Sequence, residues 1–188
     1  MVGVMIGSKP LAGFDRPIDL LKDCHRRIEH FLDVLRIVVK RFGDGDLPEE
    51  GQRALDASLD YFAHAAPRHT ADEEQSLFPR LRRSEDAEAS AVMAELERLE
   101  FDHRRTEACH AEVEELGRRW LQTGRIDAPS RTRLHALLEE LAAIYSAHIR
   151  LEEKGVFVIS ERMLAPSELS ALGSEMRQRR IEQVQLPE

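Results

Sequence analysis

Four long segments of this chain carry apolar residues in alternating steps of three and four, the spacing of a helix with one buried face. Each of the four stripes contains a histidine. The first reads Leu21, His25, Ile28, Leu32, Leu35, Val39, Phe42; the second reads Leu55, Leu59, Phe62, Ala66, His69, Glu73, Leu77. The third reads Val92, Leu96, Leu99, His103, then Thr106 or Glu107, His110, Val113; the fourth reads Leu134, Leu137, Leu141, Tyr145, His148, Glu152, Val156. Two stripes therefore carry a carboxylate as well. An unpartnered polar group in a core costs several kcal/mol. Either these groups pair with one another or they hold a metal.

Helix breakers delimit the segments. Pro17 opens the first, over 17–42, and the run Gly43 to Pro48 closes it. The second spans 49–83, with a kink expected at Pro67 and a bend at Pro79, since proline removes a backbone donor. The third spans 85–123, with Ser84 as N-cap and Gly124 as its stop. The fourth spans 128–163, with Asp127 as N-cap, Pro129 in the first turn and Gly155 inside it. A short fifth helix begins near Ser167 and frays into the charged tail. The expected architecture is all-α: an up-down-up-down four-helix bundle over 17–163, a flexible segment at 1–16, and a C-terminal helix and tail over 164–188.

Composition supports a helical reading and excludes several functions. Only 5% of the 188 residues are aromatic, which disfavours a β-rich fold. The formal charge of −8, with both signs interspersed, is the opposite of a nucleic-acid footprint. Cys24 and Cys109 belong to no paired motif, so a reducing, cytoplasmic setting is expected. The first sixteen residues make no convincing signal peptide, and no uninterrupted apolar run reaches the ~18 residues of a membrane span.

Spacing narrows the histidines. His69 and Glu73, His103 and Glu107, and His148 and Glu152 are each four apart, so both members of a pair can face one ion. The same spacing occurs at His25, His110 and His135, so it does not decide the matter alone. Rotation helps: His30 and His64 lie five residues from His25 and His69, about 140° round the helix. His135 is on roughly the opposite face from His148, and about 20 Å away. These three are read as surface residues. His110 shares the face of His103 but sits about 10 Å further along. Height then brings the rest together. His25 and His69 are about equally far from the first turn, His69 and His103 from the second, and His103 and His148 from the third, to within about one helical turn. Four histidines from four helices meet near one level.

The motifs around them resemble a known family. Tyr61-Phe62, Ala65-Ala66-Pro67-Arg68-His69, Asp72-Glu73-Glu74 and Leu77-Phe78-Pro79 are similar to the second helix of bacterial hemerythrin domains of the HHE cation-binding family. Tyr145, His148, Glu152-Glu153 and Val156-Phe157 resemble the last metal-binding helix. Cys24 to Glu29 and Asp102-His103-Arg104-Arg105 resemble the first and third. The resemblance covers about 17–160 and implies two non-haem irons in an Fe–O–Fe type centre. His25, His69, His103 and His148 are then terminal ligands, Glu73 and Glu152 bridge, and Glu107 is a third carboxylate. Oxygen carriers place a second histidine where Glu107 stands, and Glu74, adjacent to Glu73, could compete for the metal. Fewer imidazoles favour ferric iron. The expected partner is a small diatomic ligand or peroxide. The expected role is binding or sensing of oxygen, nitric oxide or iron, with an enzyme that consumes peroxide or reduces nitric oxide as the alternative. Tyr145 is read as an interior tyrosine bonded to a carbonyl, with a hydrogen bond beside the metal as the other reading.

Overall fold

The computed structural model describes residues 12–85 and 90–184, and within them the chain is helical with no strand. Helix α1 is Pro17–Phe42. Helix α2 is composite: Glu49–His64, then Ala66–Asp72, a π-helical turn Glu73–Leu77, and Phe78–Arg83. Helix α3 includes Met93–Thr123. Helix α4 runs from Ala128–Leu151 through a second π-turn, Glu152–Val156, to Phe157–Met163. Helix α5 is Pro166–Val184. The expected start of the third helix, after Ser84, runs into residues 86–89, which lie outside the described residues.

Local chemistry accounts for these boundaries. The break at Ala65 places Pro67 in the first turn of the next segment, where its missing N–H is not needed. Pro79 likewise lies in the first turn of the segment that follows the π-turn. Gly124 takes a left-handed conformation (φ 69°) and closes α3 by donating to Trp120 O. Asp127 caps α4 by accepting from Ser130 N at 2.9 Å. The two loops at that end are tied together by Leu47 N donating to Gly124 O at 2.8 Å.

Helices α1 and α3 each lie against both α2 and α4, as an up-down-up-down bundle requires. Gly117 lets α3 approach α2 closely, since a Cβ there would sit 2.8 Å from Leu59 Cδ1. Two apolar clusters fill the interior. One, near the two short loops, includes Leu55, Leu59, Val113, Trp120 and Leu141. The other includes Leu21, Leu77, Phe78, Leu99, Val156 and Phe157, together with Leu172 and Met176 of α5. The buried histidines and glutamates form a polar layer between the two. Fully buried side chains of this size each contribute about 1.5–3 kcal/mol, so the layer is clamped on both sides by packing that resists its opening. Residues 12–16, expected to be flexible, pack here: Ala12 is buried and its N–H donates to Asp23 Oδ2 at 2.6 Å. Residues 1–11 lie outside the described residues. No described helix is long and apolar enough to cross a membrane.

Candidate metal centre

Six of the seven side chains expected at the site converge. His25, His69, Glu73 and Glu152 form one group, and Glu73, His103, His148 and Glu152 form a second; in each, one ligand atom per residue lies within 4.8 Å of the others. Glu73 and Glu152 belong to both groups, so the sharing by the two carboxylates is built into the geometry. Glu73 Oε1 is 3.2 Å from His69 Nε2, while its Oε2 is 3.3 Å from His103 Nε2. Glu152 Oε2 lies 3.0 Å from His25 Nε2 and 3.3 Å from His148 Nε2.

These close approaches are not hydrogen bonds. His25 Nε2, both ring nitrogens of His69, His103 Nε2 and all four carboxylate oxygens of Glu73 and Glu152 are buried without a hydrogen-bond partner. Buried polar atoms in native proteins are almost always satisfied, and each that is not costs about 1–3 kcal/mol. Apart from His69 Nδ1, on the far side of its ring, these atoms fit a cation group that supplies their missing partner.

Outer nitrogens of three of the four histidines face a carboxylate. His25 Nδ1 donates to Glu153 Oε1 at 3.0 Å, and His103 Nδ1 donates to Glu74 Oε1 at 2.7 Å. His148 Nδ1 lies 3.7 Å from Asp102 Oδ2. A carboxylate on Nδ1 holds the proton there and leaves the Nε2 lone pair for a metal. Glu74, a possible competitor for a metal by its place beside Glu73, belongs to neither ligand group. It orients His103 instead.

The same device occurs twice. His69, Glu73, Glu74 and Phe78 are spaced as His148, Glu152, Glu153 and Phe157 are. In both, a π-turn begins at the inward glutamate, and the following glutamate reaches the outer nitrogen of a histidine on a neighbouring helix. The phenylalanine then lies parallel to that same imidazole: Phe78 against His103 with centroids 6.4 Å apart, Phe157 against His25 at 5.4 Å. In a π-turn successive side chains diverge less than in an α-helix, so one glutamate can face the interior while the next, partly exposed, still reaches a neighbouring helix. π-turns recur at functional sites for reasons of this kind.

Electrostatics are strongly coupled. Burial opposes charge on His25, but Glu152, Glu153 and Glu73 overcome it and raise its pKa to about 10. Burial and the neighbouring imidazoles hold His69 well below its ordinary value. Burial and the Glu152 charge push Glu73 well above the carboxylate range. Glu152 is also opposed by burial, yet His148 and His25 hold it below that range. Without a cation, the layer thus approaches neutrality by protonating His25 and Glu73.

The seventh expected residue, Glu107, is not brought in. It is exposed and joins neither group. Thr106 takes the interior position, buried, with its hydroxyl donating to His103 O at 2.9 Å. The stripe of α3 keeps alternating through Leu99, His103, Thr106, His110 and Val113, and that rule already selects the step of three. Tyr145 also departs from expectation. Its hydroxyl meets His110 Nε2 at 2.9 Å rather than a carbonyl or His148. His110 stacks on Phe62, and burial lowers its pKa to about 4, so it is neutral. His64 and His135 are exposed and His30 is half-buried. Cys24 and Cys109 are free thiols outside both groups.

A cavity of about 20 Å³ borders the four histidines, with Ala66, Thr106, Tyr145 and Ile149 among its walls. That is room for about one water-sized molecule. A larger pocket of about 300 Å³ opens between α2 and α3, past Phe62, Pro67, Ala71, Glu107 and His110. The two share Ala66, Thr70, His103, Thr106 and Tyr145, so these residues border both the inner cavity and the outer pocket.

Fold and site together define an antiparallel helical bundle whose interior layer is built to hold cations with imidazole and carboxylate. The chain belongs to the hemerythrin HHE cation-binding domain family, whose model matches residues 16–159. It is also similar to an uncharacterized protein of Haemophilus influenzae, with 27% identity over 176 residues that span 94% of this chain and 96% of the relative.

Proposed function

We propose that this protein is a non-haem di-iron binding protein that captures a small ligand, such as oxygen or nitric oxide, beside its metal pair. The observation that supports this best is the pair of overlapping ligand groups that share Glu73 and Glu152, with every inward polar atom lacking a protein partner or lying against another ligand. His25 and His69 would hold one ion, His103 and His148 the other, and the two glutamates would span both. Two imidazoles with carboxylate oxygen at each position is the donor set associated with non-haem iron. Harder carboxylate donors in place of further imidazoles favour the ferric state. The absence of Glu107 from the groups leaves room beside the metals, where the inner cavity lies.

Bound iron would supply a redox-active Lewis acid. The chain's own part is to fix His25 and His103 by their outer nitrogens, to limit the adjoining space to about one small molecule, and to place Tyr145 in its wall. A second reading, an enzyme that consumes peroxide or reduces nitric oxide, draws support from the hydrogen-bonded Tyr145–His110 pair between cavity and outer pocket. A proton-carrying pair there is more than simple capture needs.

Metal analysis and the visible spectrum of protein reconstituted anaerobically with ferrous iron test the proposal. The expected result is about two irons per chain and, after oxidation, near-ultraviolet charge-transfer absorption of a coupled ferric pair. Retention of one metal or none would refute it. Catalase and nitric-oxide reductase assays on the loaded protein separate the two readings.

A further inference from the structure

Helix α5 reaches the candidate metal centre at one point. Asp72, the residue before Glu73, is fully buried. Arg179 Nη1 donates to its Oδ1 at 2.7 Å, and Arg180 Nη2 donates to its Oδ2 at 2.8 Å. Arg179 also donates to Ser76 Oγ. From α2 itself, Arg80 donates to Ser76 O at 2.7 Å and pairs with Glu175 of α5 through two bonds of 3.0 and 2.7 Å. Three guanidinium groups thus grip the outer side of a turn whose inner side carries Glu73.

The helix is seated for this contact. Leu172 and Met176 are fully buried. Gly173 lies against the Phe14 carbonyl, where a Cβ would fall 1.9 Å from the oxygen. Arg177 and Arg180 lie over the Phe14 ring, 5.2 and 5.4 Å from its centroid. Apolar burial alone is enough to dock a helix. Two adjacent arginines on one buried acid, next in sequence to a shared carboxylate, add something docking does not require.

We propose that α5 is a working part of the metal centre, with Arg179 and Arg180 positioning Glu73 by holding Asp72 and the π-turn. The inference rests on the metal-binding reading above. A π-turn is a strained alternative to the α-helix, and relaxing it would rotate the residues that follow. Asp72 stripped of both guanidiniums is a buried, unpaired anion beside two more carboxylates, which strongly disfavours its present place. The turn relieves that by moving Asp72 outward, and Glu73 moves with it. Holding Asp72 therefore holds Glu73 at the point where both ligand groups meet.

Cobalt(II), a spectroscopically active and redox-quiet probe, tests this on the full chain. Wild type, the double variant Arg179→Gln/Arg180→Gln, the conservative Arg179→Lys/Arg180→Lys, and the control Arg177→Gln are each titrated, and their metal-free forms are melted. The expected result is two cobalt ions in wild type and control, affinity about tenfold or more weaker in the double Gln variant, and partial recovery in the Lys variant. The cobalt ligand-field spectrum should also change in the Gln variant. Wild-type affinity and spectrum in the Gln variant would overturn the proposal and leave the arginines as docking contacts. Should the Gln variant lose its helical circular dichroism, wild-type affinity in the Lys variant, with its altered fork geometry, overturns it instead. Failure of wild type to take up two ions is a separate outcome: it refutes the di-metal reading, and this inference with it.

Discussion

Glu73 and Glu152 occupy equivalent places, yet replacing each by methionine should change the metal-free protein in opposite directions. Both oxygens of Glu73 are buried without a hydrogen-bond partner, and burial together with the Glu152 charge pushes its pKa up, so in the metal-free fold it is a neutral group with unsatisfied oxygens. Removing two unsatisfied atoms recovers about 2–6 kcal/mol at about 1–3 each. Methionine is close in shape, and its misfit costs up to about 1.5 kcal/mol. The metal-free Glu73→Met protein should therefore gain about 0.5–6 kcal/mol and melt higher, since about 1 kcal/mol moves a chain of this size by 2–4 °C. Glu152 is different. It remains an anion and compensates His25 and His148. Removing one partner of a buried ionic group costs about 3–5 kcal/mol, so Glu152→Met should melt well below wild type. Both variants should lose stoichiometric iron. Thermal melts of chelator-treated proteins, with metal analysis of the untreated ones, provide the assay. A metal-free Glu73→Met protein less stable than metal-free wild type would show that Glu73 is satisfied without metal, and the reasoning from orphaned atoms would fail.

Because Glu107 is exposed and outside both ligand groups, Glu107→Ala should retain full iron content and an unchanged visible spectrum; loss of iron by metal analysis would place it back in the site. Gly117→Ala pushes a methyl to within 2.8 Å of Leu59 Cδ1 between α2 and α3 and should cost about 1–3 kcal/mol by urea denaturation. His110 has a folded pKa of about 4 against an ordinary 6.5, so the unfolded chain binds a proton the fold refuses between those values. The stability it contributes is present above pH 6.5 and is lost as pH falls toward 4, by about 1.4 kcal/mol per unit. In metal-free protein, His110→Phe should keep the stack on Phe62 and flatten that part of the acid dependence; parallel stability–pH curves for variant and wild type would contradict the assignment.

The sequence by itself determined the four helices, their order and the level at which His25, His69, His103 and His148 meet, because helical periodicity and breaker positions are local properties. It also placed Glu73 and Glu152, which lie four residues after their histidines and on apolar stripes, where a carboxylate needs a reason. Its alternation of three and four steps could have chosen Thr106 over Glu107, and the spacing shared by His69-Glu73-Glu74-Phe78 and His148-Glu152-Glu153-Phe157 could have marked Glu74 and Glu153 as a matched pair. What that pair does was decided by tertiary structure, since their partners His103 and His25 belong to other helices. The π-turns were hidden as well: they reflect a balance between local strain and the contacts made at the turn, and no residue type specifies them. Likewise, Asp72 beside Glu73 read only as one more acid until Arg179 and Arg180, more than a hundred residues later, were seen to close on it. A charge in a sequence is solvated or buried, paired or orphaned, only once the fold has set which surfaces exclude water.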